Sequence, residues 1–319
     1  MNTTVNIRDY GASGDGVAKD TNALQVAINQ CYAAGGGIVD CPAGTYLCDS
    51  IELKSHVFLN LLPGAKIQGS KDVAGYNLNY LVYAENACHT GIIGYGEINE
   101  GDTFWQEEKD LNQNVLWRKG WGEVAAYYRK STPRPQGLIC FENCKQVRVH
   151  NISLTNSPRW TLHLLSCDDV SIHGVTINNP LYGPNTDGID IDGSQNVTVS
   201  DCRIYTGDDA IVIKTTGEKN YNTPVRNITV TNCVLTTTCN AFKIGTETLN
   251  SIENVVFTNS VVHSDAQAPY HYQAISGVSI ETVDGANLAS VSVSGIVMNN
   301  ARSPIFCSLG QQGERTRSP

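Results

Sequence analysis

The chain has 319 residues, of which 41% are hydrophobic and only 8% aromatic, with 29 glycines and a formal net charge of −9. That balance supplies a sizeable core but favours many short elements joined by turns over a helical bundle. The negative charge argues against nucleic acid or an anionic membrane as partner, and no apolar run approaches the roughly 18 residues of a membrane-spanning helix. Residues 1–11 carry neither the basic nor the apolar part of a signal peptide, so the chain as written reads as cytoplasmic, or as secreted with its signal removed. Its 11 cysteines form no Cys-x-x-Cys pair and no zinc-like spacing to histidine. They read mainly as small buried residues, with a disulfide or two left open. No metal and no cofactor is expected.

In chain order, residues 6–20 predict a strand and a glycine-rich turn that lacks the Lys-Ser/Thr of a phosphate loop. Asp20 and Thr21 predict an N-cap, after which Ala23, Leu24, Ala27, Ile28 and Cys31 recur at helical spacing until Gly35. From Gly37 to Ser70 the apolar residues Ile38, Tyr46, Leu47, Ile51, Leu53, Val57, Leu59 and Ile67 follow a period of two between Pro-Gly turns, which predicts short strands. Residues 71–135 are the least regular, and Trp105, Trp117 and Trp121 among charges mark a functional loop.

From Val147 a repeat runs to the end. Segments of one form start at Val147, Val170, Val197, Ile228, Val255 and Val291, each with a turn-prone fifth residue: Asn151, Gly174, Asp201, Asn232, Asn259 and Gly295. A second set of strands aligns as well, starting at Trp160, Asp187, Asp209, Asn240, Ser276 and Ser303. Two aligned strand sets with variable loops predict an all-β parallel solenoid in one domain over 1–319. Its rungs stack about 4.8 Å apart, so equivalent positions form columns.

In the second set the third and fifth columns are apolar (Leu162, Ile189, Ile211, Phe242, Val278, Ile305 and their partners two residues on) and form the core. The first, fourth and sixth columns are expected to face outward. They gather Asp187, Asp190, Asp192 and Asp209, with Asp208 beside them, near Lys214 and Lys243. Carboxyls one rung apart should raise at least one pKa, and a raised acid beside an ionised base is what glycoside hydrolysis requires. Turn capping or calcium binding is the plainer reading, but the Gly-Gly-x-Gly-x-Asp period of calcium-binding repeats is absent.

The chain resembles the polygalacturonase family of glycoside hydrolases, family 28. Asn185-Thr186-Asp187, Gly207-Asp208-Asp209, the lead-in from Asn156 to Ile177 and the N-terminal Asn6-Ile7-Arg8-Asp9-Tyr10-Gly11 carry the likeness over most of residues 6–310. The resemblance implies a right-handed parallel β-helix of about ten rungs with an N-terminal capping α-helix. It also implies inverting hydrolysis of a pectin-type or related plant glycan, with Asp208 as general acid and Asp187 and Asp209 activating water. Adjacent rungs are closer than the roughly 6.5–9.5 Å usual between inverting carboxyls, so the side chains must splay around the water.

Two departures bear on the substrate. Cys239-Asn240-Ala241 stands where the family has Gly-His-Gly, and Ser279-Ile280-Glu281 where it has Arg-Ile-Lys. Lys243, helped by Lys214, either takes over binding of a sugar carboxylate or only neutralises the aspartates; otherwise the sugar near Glu281 is neutral. Asn185, Asn240, His163 and His271 complete the expected substrate contacts, His163 with a structural role as the alternative and His271 as a stand-in for the missing histidine. Long loops at 71–135 and 263–275 suggest exo action. The alternatives are a hydrolase of a non-galacturonate sugar, a silent carbohydrate-binding β-helix, and a lyase or epimerase. The expected partner is a polysaccharide or oligosaccharide, with no nucleic acid or membrane. The polar tail after Gly310 leaves a hydrophobic rung uncovered, which suggests a truncated chain or a second subunit at that edge.

Overall fold

Strands this short cannot bury their apolar face in a flat sheet, but they can if the chain coils and each strand pairs with its equivalent one turn later. The computed structural model describes residues 3–100, 134–264 and 272–310. It is a right-handed parallel β-helix made of two ten-stranded sheets and one nine-stranded sheet, and every strand pair is parallel.

The registers follow the columns of the repeat. Val147, Val170, Val197, Ile228, Val255 and Val291 are successive partners in the first sheet. Leu162, Ile189, Ile211, Phe242, Val278 and Ile305 are successive partners in the third. Asn151, Gly174, Asp201, Asn232, Asn259 and Gly295 all adopt positive φ at the corner between the first and second sheets. Asn and Asp tolerate that conformation because their short side chains bond locally.

Leu162, Ile189, Ile211 and Phe242 are wholly buried, and the Phe242 ring stacks on Phe257 across the core at 4.5 Å between centroids. Each such side chain contributes about 1.5–3 kcal/mol by burial. At the last rung the cover ends: Ile305 is 62% and Leu309 89% exposed.

One α-helix is present among the described residues, Thr21–Ala33, burying Ala23, Leu24, Ala27, Ile28 and Cys31 over the first rungs. Asp20 occupies the N-cap position but makes no capping bond; its carboxylate accepts from the Ser13 and Gly14 backbone N–H groups, which closes the glycine-rich turn. Between Gly37 and Ser70 the strands are Gly37–Cys41, Gly44–Cys48, Ile51–Glu52, Val57–Leu61 and Ala65–Gly69. Ile38 and Leu47 do not join the core there; Val39, Cys41 and Cys48 fill it instead. All 11 cysteines are free, and only Cys88 and Cys307 are not buried. No helix among the described residues is long and apolar enough to cross a membrane.

Candidate active site

The third sheet carries the site. Its strands Trp160–Leu165, Ile189–Asp192, Ile211–Thr215, Asn240–Thr248 and Ser276–Thr282 lie side by side in that order. The residues that lead into them line a cleft of about 590 Å³. Its wall includes Asn185, Asp187, Asp208, Asp209, Lys214 and Asn240, with Arg159 and Trp160 at one end and Glu281 and Phe306 at the other.

Local backbone packing sets the aspartates. Gly207 brings the Gly-Asp-Asp turn against the preceding loop, where a Cβ would lie 2.2 Å from the Gly183 carbonyl oxygen, so only glycine fits. Asn179, buried under the loop, accepts from the Ser157 N–H and donates to the Thr161 and Thr206 hydroxyls and the Thr186 carbonyl, tying neighbouring rungs beneath Asp187. Asp208 is held from both sides: the Asn185 N–H donates to Oδ2 at 3.0 Å and the Asp209 N–H to Oδ1 at 2.8 Å.

The neighbouring carboxyls have opposite proton bias. Burial, then the charges of Asp187 and Asp209, push the Asp208 carboxyl well above the usual carboxylate range, against the pull of the Asp209 N–H. Burial and Asp190 push Asp187 up as well, only partly offset by Lys214 at 3.7 Å, and its Oδ1 has no hydrogen-bond partner. Asp209 is buried too, but Lys243 at 3.1 Å, Cys239 and Asn240 outweigh burial and hold it below that range. Asn240 donates to Asp209 Oδ1 through both its backbone N–H at 3.1 Å and its side-chain amide at 2.7 Å, and its own Oδ1 accepts from Ser276.

Among the described residues, two groups of potential ligand atoms lie within 4.8 Å of one another: His163, Asp192 and Glu218, and Asp208, Asp209 and Cys239. In the first, Asp192 already accepts from Thr216 N–H and hydroxyl. In the second, burial and the two aspartates push the Cys239 thiol far up, which disfavours the thiolate a metal would need.

A family model for the glycosyl hydrolases of family 28 matches residues 31–315. The chain belongs to that family. It is 28% identical over 228 residues to a probable polygalacturonase of Vitis vinifera, a stretch that is 65% of this chain and 43% of that protein. A probable polygalacturonase of Arabidopsis thaliana is 26% identical, over 93% of this chain and 66% of its own length. This family 28 chain thus spans 43% and 66% of the length of these two plant relatives. The solved polygalacturonase of Erwinia carotovora ssp. carotovora superposes with a TM-score of 0.75 at 25% identity, over 95% of this chain and 80% of its own.

The structure brings Asp187, Asp208, Asp209, Asn185, Asn240, Lys214, Lys243 and Glu281 to the one cleft. It does not bring His163 there. That side chain is wholly buried, its Nε2 3.5 Å from Asp192 and its ring edge-on to Trp160 at 4.8 Å. Burial opposes its charge, but Cys140 and Asp192 raise its pKa to about 9. The Cys140 thiol is itself pushed up by burial, so Asp192 is the effective partner. His163 therefore braces Trp160 from behind. Asp190 and Asp192, expected to face outward, are buried behind the wall as well: Asp190 pairs with Lys214 at 2.7 Å, and its carboxyl is pushed up to about 7 because burial outweighs the lysine. His271 lies outside the described residues, as do 101–133 and 265–271 of the two loops on which exo action was expected; the first loop was drawn too long, because Tyr80–Glu85, Cys88–Gly94 and Glu97–Asn99 within it are strands that pair into the three sheets.

Sequence reasoning passed over Trp160, Asn179 and Glu247. Trp160 heads the Asp187 column, so the register already pointed to it. Glu247 reaches the cleft through a register irregularity after Ile213 that pairs Thr215 with Thr248, which column counting cannot anticipate.

Proposed function

We propose that the cleft hydrolyses a glycosidic bond of a pectin-type or related plant glycan with inversion, as a polygalacturonase-like enzyme. Asp208, biased towards its protonated form, donates to the leaving glycosidic oxygen. Asp209, biased towards its ionised form, takes a proton from the attacking water, and Asp187, which lines the same cleft, orients that water. Water oxygen bonds to the anomeric carbon as the carbon–oxygen bond to the leaving sugar breaks. The proton gained by Asp209 and that lost by Asp208 re-equilibrate through solvent.

The observation that carries this reading is the opposite proton bias of two adjacent carboxyls in one cleft. Asn240 gives Asp209 the N–H donor that a histidine in the same place would give. Lys243 spends its charge on Asp209, which favours the neutralising role over capture of a sugar carboxylate. Exo action is the expected mode, to be read from whether digests release one short product from the start.

The test is a panel of plant polysaccharides assayed for new reducing ends, with the anomer of the first product followed by proton NMR. Inverted product at a reducing end supports the reading. An unsaturated product absorbing in the ultraviolet indicates a lyase, and retained configuration indicates a covalent intermediate; either result rejects it.

A further inference from the structure

Arg134 lies just ahead of the strand Gly137–Glu142, one rung before Trp160–Leu165. Its half-buried guanidinium reaches across the lead-ins of the next two strands of the third sheet. Nη1 donates to the Pro158 carbonyl at 3.0 Å and to the Pro184 carbonyl at 3.5 Å, and Nη2 donates to the Asn185 side-chain oxygen at 3.2 Å. The Pro184 carbonyl and the Asn185 N–H belong to one peptide plane, and across a trans peptide they point in opposite directions. Arg134 therefore holds that plane at its oxygen, while Asp208 Oδ2 holds it at its nitrogen, 3.0 Å away. Asn185 depends on such a hold, because its φ of +54° is a left-handed conformation that an L-residue keeps only where its surroundings fix it.

We infer that Arg134 is a positioning residue for the acid of the cleft: by fixing the Pro184–Asn185 peptide it aims the N–H that orients the Asp208 carboxyl. The inference rests on the reading of Asp208 as general acid. A planar guanidinium meets three acceptors on two lead-ins at fixed angles, whereas an ammonium on a flexible stem brings a point charge without that geometry. Gripping the carbonyl also polarises the peptide, which strengthens the N–H bond at its other end. Burial, Asp187 and Asp209 set the proton bias of Asp208, so what Arg134 supplies is direction. The other bond to Asp208, from the Asp209 N–H to Oδ1 at 2.8 Å, lies within the Gly-Asp-Asp turn and does not pass through Arg134. Loss of the arginine thus frees one oxygen of the acid and leaves the other held, so the carboxyl pivots away from its aim.

Arg134→Met and Arg134→Lys test this on two substrates: the polysaccharide of the panel that the wild type cleaves fastest, and a dinitrophenyl glycoside of the same sugar, whose leaving group departs without a proton. Both variants should lose about 10–100-fold in kcat on the polysaccharide and less than about threefold on the aryl glycoside. Equal losses on the two substrates, a loss carried by KM alone, or wild-type kcat in Arg134→Lys overturns the inference. Amide exchange followed by NMR needs no turnover and separates this from a failure of the glycosidase reading. In Arg134→Met the Asn185 N–H should exchange at least about tenfold faster than in the wild type, while the Thr161 N–H, bonded to the Asp187 carbonyl at 2.9 Å, should be unchanged. That split supports the grip on Asp208 even if the wild type cleaves nothing on the panel; unchanged exchange at Asn185, or equal acceleration at both amides, overturns it.

Discussion

Asp187 and Asp209 head neighbouring strands of the same sheet and both are 4% exposed, yet their carboxyl pKa values are pushed in opposite directions, Asp187 up and Asp209 down. Asp209 has a lysine 3.1 Å away and two N–H donors from Asn240. Asp187 shares Lys214 with Asp190, and the lysine stands closer to Asp190, 2.7 against 3.7 Å. Burial is the same on both sides, so the partners decide. A solenoid column thus fixes where a carboxyl sits, while the adjacent rung and its cation fix what it does with a proton.

Removing the partner on one side breaks that comparison most strongly. Lys243→Met leaves Asp209 buried without its cation, which should lower the unfolding free energy by about 3–5 kcal/mol in denaturant titrations at neutral pH. The sign follows from the depressed folded pKa. The pair's contribution is present above the unfolded aspartate pKa of about 3.9 and disappears as pH falls through the folded value, so wild type and variant should converge in acid. The acidic limb of the activity profile should move upward in the variant. An unmoved limb would show that Asp209 is not the base.

A smaller effect sharpens the contrast from the buried side of the wall. The pKa of His163, raised to about 9, lies above the unfolded value of about 6.5. Its contribution is therefore complete below about pH 6.5 and lost as pH rises through the folded value. Calorimetric Tm should fall across that window in the wild type and fall less in His163→Gln. Equal slopes would mean that the imidazole is not charged in its pocket.

The fold was legible because a rung repeats. Identical registers from Val147 onward and a turn residue of the right chemistry at every corner leave few other ways to pair these strands. Asp187, Asp209, Asn240 and Lys243 were legible for the same reason, since column position places each of them on the wall. Depth was not. An alternating pattern assigns His163, Asp190 and Asp192 to the side away from the core, but Trp160 and the turn bearing Thr216 and Glu218 cover that side, and no periodicity records the cover. Asp20 shows the same limit on a smaller scale, because the N–H groups of Ser13 and Gly14 in the glycine-rich turn took the carboxylate in place of the helix end.

The central claim is the division of labour between Asp208 and Asp209, and leaving-group dependence tests it most directly. A general acid matters least when the departing group needs no proton. On the natural glycan, Asp208→Asn and Asp209→Asn should each lose about 10²–10⁴-fold in kcat. On an aryl glycoside of the same sugar with a strongly acidic phenol as leaving group, Asp208→Asn should recover most of its activity and Asp209→Asn should not. Recovery by Asp209→Asn instead, or by neither variant, would contradict the assignment.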